Sequence, residues 1–313
     1  MTVAHPDDRV PPPGRHGGDG PAVAAALGLD PAQLLDLSQN LNPFAPDVTT
    51  LLVSHLDTVR HYPDPRAATV LLAEALGIDP ARLLLTNGGS EAISLVSREM
   101  GGRVAGEPEF ALHPRHTTGP VWRSDPHSPS GRLATLEQQA DVWDEAFYPL
   151  ATGQWTAGRG QGMVTVGSLT KTFACPGLRL GYLVSDDIDR FARHQPHWSV
   201  SSPALATLPD LLERADLPSW AARIAAARSA LSEELTHRGL ALQAADAPWV
   251  LVAAELREVL ARFGVLVRDC TSFGMPGVTR IAVPDATGLD RLVEALDSLG
   301  QIGASRKAVP STW

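Results

Sequence analysis

One run constrains this chain more than any other stretch: Ser168-Leu169-Thr170-Lys171-Thr172-Phe173-Ala174-Cys175-Pro176-Gly177-Leu178-Arg179-Leu180-Gly181-Tyr182. It sets a lysine among small hydroxyl residues, between two apolar segments, 163–166 and 178–184, whose valine and leucine content reads as buried parallel strands. A lysine so placed is partly desolvated, gives up its proton more readily than one in water, and can add to a carbonyl carbon as a Schiff base. Ser168 and Arg179 bring a hydroxyl and a two-pronged cation to the same place, both suited to a phosphate ester. Lys171 alone would read as a surface side chain in a polar loop; the combination carries the chemistry.

Two further motifs have the same character. Residues 83–85 are Leu-Leu-Leu, followed by Asn87-Gly88-Gly89-Ser90-Glu91 and a helical spacing at Ile93, Leu95, Val96 and Met100. Strand, glycine turn and helix start together present free backbone N–H groups to an anion. Asp144 closes a short apolar stretch in Asp141-Val142-Trp143-Asp144-Glu145-Ala146-Phe147-Tyr148. A carboxylate at a strand's carboxyl end can hold a proton on a pyridine nitrogen, although Asp144 by itself reads sooner as a helix cap or a solvated acid.

Helical spacing is also found over 22–27, 47–59, 66–76, 187–194 and 220–238, while 198–203 reads as a crossing loop and 249–299 alternates strands with helices. Between 101 and 141 regular structure thins out. The expected division is a flexible arm over 1–20 and a large domain over 21–200, abbreviated at about 101–141. A small domain would follow over 201–303, with 1–46 packing near it, and then a disordered tail over 304–313. No internal repeat is visible.

Composition excludes several classes of partner. Against 35 Asp and Glu stand 26 Lys and Arg, a formal net charge of −9, which opposes sequence-independent binding to nucleic acid or to an anionic membrane. Cys175 and Cys270 are the two cysteines, too few for a disulfide framework, and no segment has the roughly 18 apolar residues of a membrane span. The reading is therefore a cytoplasmic protein. Cys175 has no histidine in a paired motif nearby and reads as a packing residue. A Rossmann nucleotide site would need Gly-x-Gly-x-x-Gly after a strand, which residues 87–91 lack.

The lysine run, Asp144-Glu145-Ala146-Phe147 and Asn87-Gly88-Gly89-Ser90-Glu91 resemble the fold-type-I pyridoxal-phosphate enzymes of the class I and II aminotransferases. His16-Gly17-Gly18, Leu37-Ser38-Gln39-Asn40-Leu41-Asn42-Pro43, Tyr62-Pro63-Asp64-Pro65 and Val267-Arg268-Asp269-Cys270 resemble, within that family, the branch of histidinol-phosphate aminotransferase and threonine-phosphate decarboxylase, the latter a cobalamin-biosynthesis enzyme. The likeness runs from about His16 to Leu299. It implies an α/β fold, with a mainly parallel large-domain sheet flanked by helices and a smaller α+β C-terminal domain.

Carried over by position, the resemblance implies pyridoxal 5'-phosphate bound through a Schiff base on Lys171, with Asp144 on the pyridine nitrogen. Gly89, Ser90, Ser168 and Arg179 would hold its phosphate and Phe110 would stack on its ring. Tyr62 would reach the phosphate in a neighbouring subunit, so a homodimer is implied. Arg280 would grip a substrate carboxylate and Arg268 a substrate phosphate, although each alone reads equally as a strand-end surface charge. Two positions depart from the family pattern. Ser128, in Asp125-Pro126-His127-Ser128-Pro129-Ser130-Gly131, stands where the family has an asparagine that donates to the cofactor's ring oxygen. Phe147 stands where many members have a tyrosine donor to the same oxygen, and Tyr148 would face the other way if the strand continued. The connections from Phe110 to Ser128 and from Ser128 to Asp144 are also shorter than the family's, so helices should be missing there.

The function expected is that of an enzyme acting on a small anionic amino acid or amine, phosphorylated or not, by decarboxylation or amino transfer. The alternative is a degenerate relative that binds the cofactor and serves a binding or regulatory role, suggested by Ser128, Phe147 and the trimmed middle.

Overall fold

The valine-rich run around residue 165 is a strand, as its composition predicts, and in the computed structural model it lies inside a six-stranded sheet. The structure describes residues 9–14 and 16–302. The expectations for residues 1–8, 15 and 304–313 lie outside the described residues.

In chain order the first elements are α1 (Gly20–Ala26), β1 (Leu35–Asp36), α2 (Val48–Val53), α3 (Arg66–Leu76), β2 (Leu83–Asn87), α4 (Gly88–Met100), β3 (Arg103–Val104) and β4 (Val121–Ser124). There follow β5 (Val142–Asp144), α5 (Tyr148–Thr152), β6 (Val164–Ser168), α6 (Leu169–Thr172), β7 (Leu180–Val184), α7 (Asp189–Ala192), α8 (Ser202–Glu213) and α9 (Leu217–His237). The last are β8 (Leu242–Gln243), β9 (Trp249–Val252), α10 (Arg257–Ala261), β10 (Val265–Leu266), β11 (Arg268–Asp269), β12 (Thr279–Ala282) and α11 (Ala286–Ile302).

Two compact units result: Leu41–Ile224, and the described residues up to Asn40 together with those from Ala225 to Ile302. The division falls within α9, not at 200/201, and α1 and β1 belong with the C-terminal residues rather than with the large domain. In that unit β1 pairs in parallel with β10, and β11-β12-β9-β8 form an antiparallel sheet. Its core gathers Leu37, Leu231, Val250, Ile281 and Leu292.

The larger unit holds the sheet β2-β7-β6-β5-β4-β3. Strands β3 to β6 run parallel, but β7 is antiparallel to both β6 and β2, which corrects the parallel reading of residues 178–184. The cause is the connection: residues 169–179 hold one turn of helix, too little chain for a parallel crossover, so the strand returns beside its predecessor. The carboxyl ends of β2, β4, β5 and β6 therefore share one edge with the start of β7.

Both faces of this sheet are covered, by different means. On one face Trp122, Val142, Val166 and Leu183 pack against Ala92, Ile93 and Val96 of α4 and Phe191 of α7. On the other, Leu85, Leu180 and Tyr182 pack against α3 and α8. The second of these helices begins at Ser202, where the sequence reads as loop; Pro203 falls in its first turn, where no helical N–H bond is lost. Toward β4 and β5 that second face has no helix, because residues 105–120 and 125–141 contain none, as the short connections foretell. There the Arg159 guanidinium lies 3.8 Å from the centroid of the Trp143 ring, bonded to Glu145 at 3.0 Å and to Asp125. Side chains also tie the helix-free connections down. Glu109 accepts from Ser124 N and Oγ at 3.0 and 2.6 Å, and His127 bonds Pro108 O at 2.9 Å. Buried backbone groups that a helix would pair are thus met by neighbouring side chains.

Candidate active site

The carboxyl edge of a parallel sheet is where α/β proteins place their ligands, and there the larger unit assembles most of the expected residues. Asn87 leads into α4, so Gly89 and Ser90 are the first-turn residues whose N–H groups have no helical partner. Arg179 reaches this turn from the start of β7, donating through Nη2 to Ser90 Oγ at 3.0 Å. It sits at φ 57°, a left-handed conformation that turns its side chain back over the glycines. Fit is close on every side. A methyl group on Gly88 would come within 2.8 Å of Arg179 Cζ, one on Gly181 within 2.8 Å of Gly88 O, and one on Gly89 within 3.3 Å of Ser168 Cβ. Ser168 is buried and its Oγ bonds Thr170 Oγ1 at 2.6 Å. Two hydroxyls, helix-start amides and a guanidinium gathered here make a donor set that suits a phosphate, a candidate cradle.

Lys171 lies on the single turn α6 that follows β6. Its backbone carbonyl accepts from Asn42 N at 3.1 Å, and Asn42 Nδ2 donates to Thr172 O at 2.9 Å, so the turn is fastened from outside. The lysine Nζ is 5.9 Å from the centroid of Phe147. Beside it, Cys175 is buried, its thiol pushed up to about 12 by desolvation, in keeping with a packing role.

Asp144 ends β5, paired with Val166 two residues before Ser168. Its Oδ1 accepts from Ala146 N at 3.0 Å and its Oδ2 meets His113 Nε2 at 3.0 Å. A carboxylate has about four acceptor positions, so capacity remains for a ring N–H. The strand stops at Asp144 and Tyr148 opens α5, so Tyr148 does not continue a strand face. Phe110 is half-buried and meets His113 edge-on, ring centroids 5.6 Å apart. Ser128 is buried in the loop after β4, at the same edge.

Sequence reasoning missed His113 and Glu109. Both are buried, and His113 Nδ1, which has no hydrogen-bond partner among the described residues, lies 3.9 Å from Glu109 Oε1. Glu109, His113 and Asp144 thus line up as carboxylate, imidazole and carboxylate. The only signal was a solitary histidine, which more often means a core side chain.

Tyr62 is not brought into this group, and the two arginines expected to meet substrate belong to the other unit. Tyr62 is 78% exposed and stacks on Trp198 with ring centroids 4.6 Å apart. In the other unit, Arg268 and Arg280 face each other across the β11–β12 pair. Arg280 lies 5.1 Å from the Trp249 ring centroid, and Asn40, with its amide oxygen turned toward the guanidinium, accepts from Nη2 at 3.0 Å and from Nε at 3.1 Å. Burial lowers Arg280 to about 10, which still leaves it charged at neutral pH.

The family model of the class I and II aminotransferases matches residues 111–296, more than half of the chain. The chain belongs to this aminotransferase family. Among relatives of this class I/II aminotransferase, a threonine-phosphate decarboxylase of Salmonella typhimurium is 29% identical over 90% of the chain and 95% of its own length. A histidinol-phosphate aminotransferase of Natronomonas pharaonis is 27% identical over 88% and 94%. The same fold is seen in a histidinol-phosphate aminotransferase of Sinorhizobium meliloti crystallised with pyridoxal 5'-phosphate. Its TM-score is 0.76 at 18% identity, covering 90% of this aminotransferase-family chain and 95% of that one. Family and fold agree with the expectation from the lysine run, and the residues at the sheet edge have chemistry that suits that cofactor: donors for a phosphate, a carboxylate acceptor and a lysine on the turn after β6. Among the described residues no helix is long and apolar enough to cross a membrane.

Proposed function

We propose that this chain is a pyridoxal-phosphate enzyme acting on a small phosphorylated amino compound, of the kind named by both sets of relatives. The observation that carries this reading is the lysine turn α6 set beside the Ser90–Ser168–Arg179 cradle and the buried Asp144. When bound, pyridoxal phosphate supplies a conjugated ring that accepts the electrons of a bond broken at the amine-bearing carbon. Lys171 would hold the cofactor through its Nζ, and the same atom can carry a proton to or from the substrate. Asp144, backed by His113, keeps a proton on the ring nitrogen. Gly89, Ser90, Ser168 and Arg179 bind the cofactor phosphate, Phe110 orients its ring, and Ser128 offers the one hydroxyl where the family has an amide. Arg280 and Arg268 take the substrate's carboxylate and phosphate, and Arg280 is suited to it because its charge is already desolvated.

Product mass distinguishes the two reactions. Threonine phosphate should lose carbon dioxide if the chain is a decarboxylase, the reaction of a cobalamin-biosynthesis enzyme; histidinol phosphate should exchange its amino group with 2-oxoglutarate if it is an aminotransferase. Mass spectrometry that finds neither product with the cofactor-loaded protein overturns the reading.

A cytoplasmic homodimer completes it. Val53, Leu56, Val59, Tyr62 and Val70 are exposed apolar side chains near one another in sequence, apolar surface that a second copy could cover. Analytical ultracentrifugation should give twice the chain mass, and Val59→Glu should shift the protein toward monomer. Tyr62→Ala should weaken cofactor binding without dissociating the dimer if Tyr62 serves the neighbouring site.

A further inference from the structure

Residues 9–14 and 16–19, expected as part of a flexible arm, contain no helix or strand, yet two arginines hold them. Arg257, at the start of α10 and 7% exposed, donates through Nη1 to Pro11 O at 2.7 Å and through Nη2 to Asp19 Oδ2 at 2.6 Å. Between these two points Arg268 donates through Nη1 to Gly14 O at 2.9 Å, while its Nη2 donates to Ser272 Oγ at 2.8 Å. Beyond, Gly17 lies so close to Ser38 O that a methyl group there would stand 2.6 Å away. The segment is a strap across Arg268, pinned by Arg257 on both flanks, with Pro12, Pro13 and Gly14 exposed on its outer side.

We propose that Arg257 is a specificity-determining positioning residue: it latches this strap so that the Gly14 carbonyl occupies Arg268 until a phosphate group on the substrate displaces it. This rests on the reading of Arg268 as the residue that meets the substrate's phosphate. A phosphate brings a negative charge of its own and can take two parallel N–H bonds from the guanidinium, where the Gly14 carbonyl offers one neutral oxygen, so a phosphorylated substrate wins the guanidinium and an unphosphorylated amine does not. Displacing Gly14 pulls on both pins and loosens the strap as far as its head at Arg9, and the grip of Arg257 on Pro11 and Asp19 sets what that costs. The latch thereby taxes every ligand that needs Arg268 and only a phosphate repays it.

The test uses the cofactor-loaded full chain with inorganic phosphate as probe and limited trypsin cleavage at Arg9, an exposed residue at the head of the strap. In the wild type, phosphate should speed cleavage at Arg9 by about fivefold, the worth of one hydrogen bond of about 1 kcal/mol. In Arg268→Met phosphate should have no effect. Arg257→Gln should cleave fast without phosphate and should lower KM for the phosphorylated substrate while leaving kcat unchanged. Asp19→Asn, which keeps the Pro11 contact, should behave the same way to a smaller degree and covers the case in which Arg257→Gln does not fold. If phosphate binds through Arg268, by calorimetry, yet leaves the Arg9 cleavage rate unchanged or slows it, the latch is wrong and the reading of Arg268 stands. If calorimetry finds the same phosphate binding in wild type and Arg268→Met, the reading of Arg268 fails, and the latch with it.

Discussion

Replacing Lys171 with alanine should abolish turnover and remove the near-ultraviolet or visible absorbance that bound pyridoxal phosphate gives the wild type. The loss should reach several orders of magnitude, because the same side chain is asked both to hold the cofactor and to move a proton, and a positioned acid–base group alone contributes about 10²–10⁴-fold. The fold should survive. Lys171 lies on a one-turn helix whose backbone is tied by Asn42 rather than by the lysine side chain, and its neighbours Thr170 and Thr172 carry the packing. Unchanged far-ultraviolet circular dichroism with a lost band separates a chemical role from a structural one. A variant that keeps the band and the activity would remove Lys171 from the site and, with it, the proposal as a whole.

The second large effect concerns stability. Arg159→Ala should cost about 3–5 kcal/mol, the usual result of stripping one partner from a buried ion pair, and lower the melting temperature by on the order of 10 °C for a unit of this size. Glu145 is fully buried and Asp125 nearly so, and both are held by Arg159, with Thr156 Oγ1 at 2.6 Å and Ala157 N at 3.2 Å completing the shell of Glu145. Burial already raises the Glu145 carboxyl, and removing the guanidinium raises it further. A raised carboxyl in the folded state favours folding below its titration and loses that advantage as pH rises through it. The deficit of Arg159→Ala should therefore be largest at neutral pH and shrink on acidification, as thermal melts from pH 7 down to pH 5 would show. Glu145→Gln in the same chain should recover part of the loss, since a neutral amide needs no cation. A deficit independent of pH would mean that Arg159 acts only by stacking on Trp143.

The residues that gather at the candidate site were largely legible at 87–91, 144 and 168–182, because phosphate binding and covalent attachment would demand particular side chains at set distances along the chain. The helix over 66–76 was legible for a different reason: its apolar spacing is regular and Gly77 ends it in a left-handed cap at φ 67°. Strand direction was not. Leucines and valines at 178–184 report burial on both faces, and nothing in that composition distinguishes a parallel neighbour from an antiparallel one. His113 and Glu109 escaped because their meaning lies in contacts with β4 and β5, far along the chain, and not in any local spacing. Arg159 escaped because it sits in Thr156-Ala157-Gly158-Arg159-Gly160, where composition predicts only loop.

The way the trimmed connections are held has a bearing on how freely this sequence can drift. Where a helix covers a sheet, the work of closing that face is shared among a dozen positions, each replaceable by something of similar bulk. Here it falls to a few polar side chains, Glu109 on Ser124, His127 on Pro108 and Arg159 on Glu145, whose partners must match in charge and reach. A library of random substitutions across 105–141 and 154–162 should therefore show a divided pattern, broad tolerance at most positions and almost none at these anchors. Tolerance of substitution over these connections should thus rest on a handful of residues.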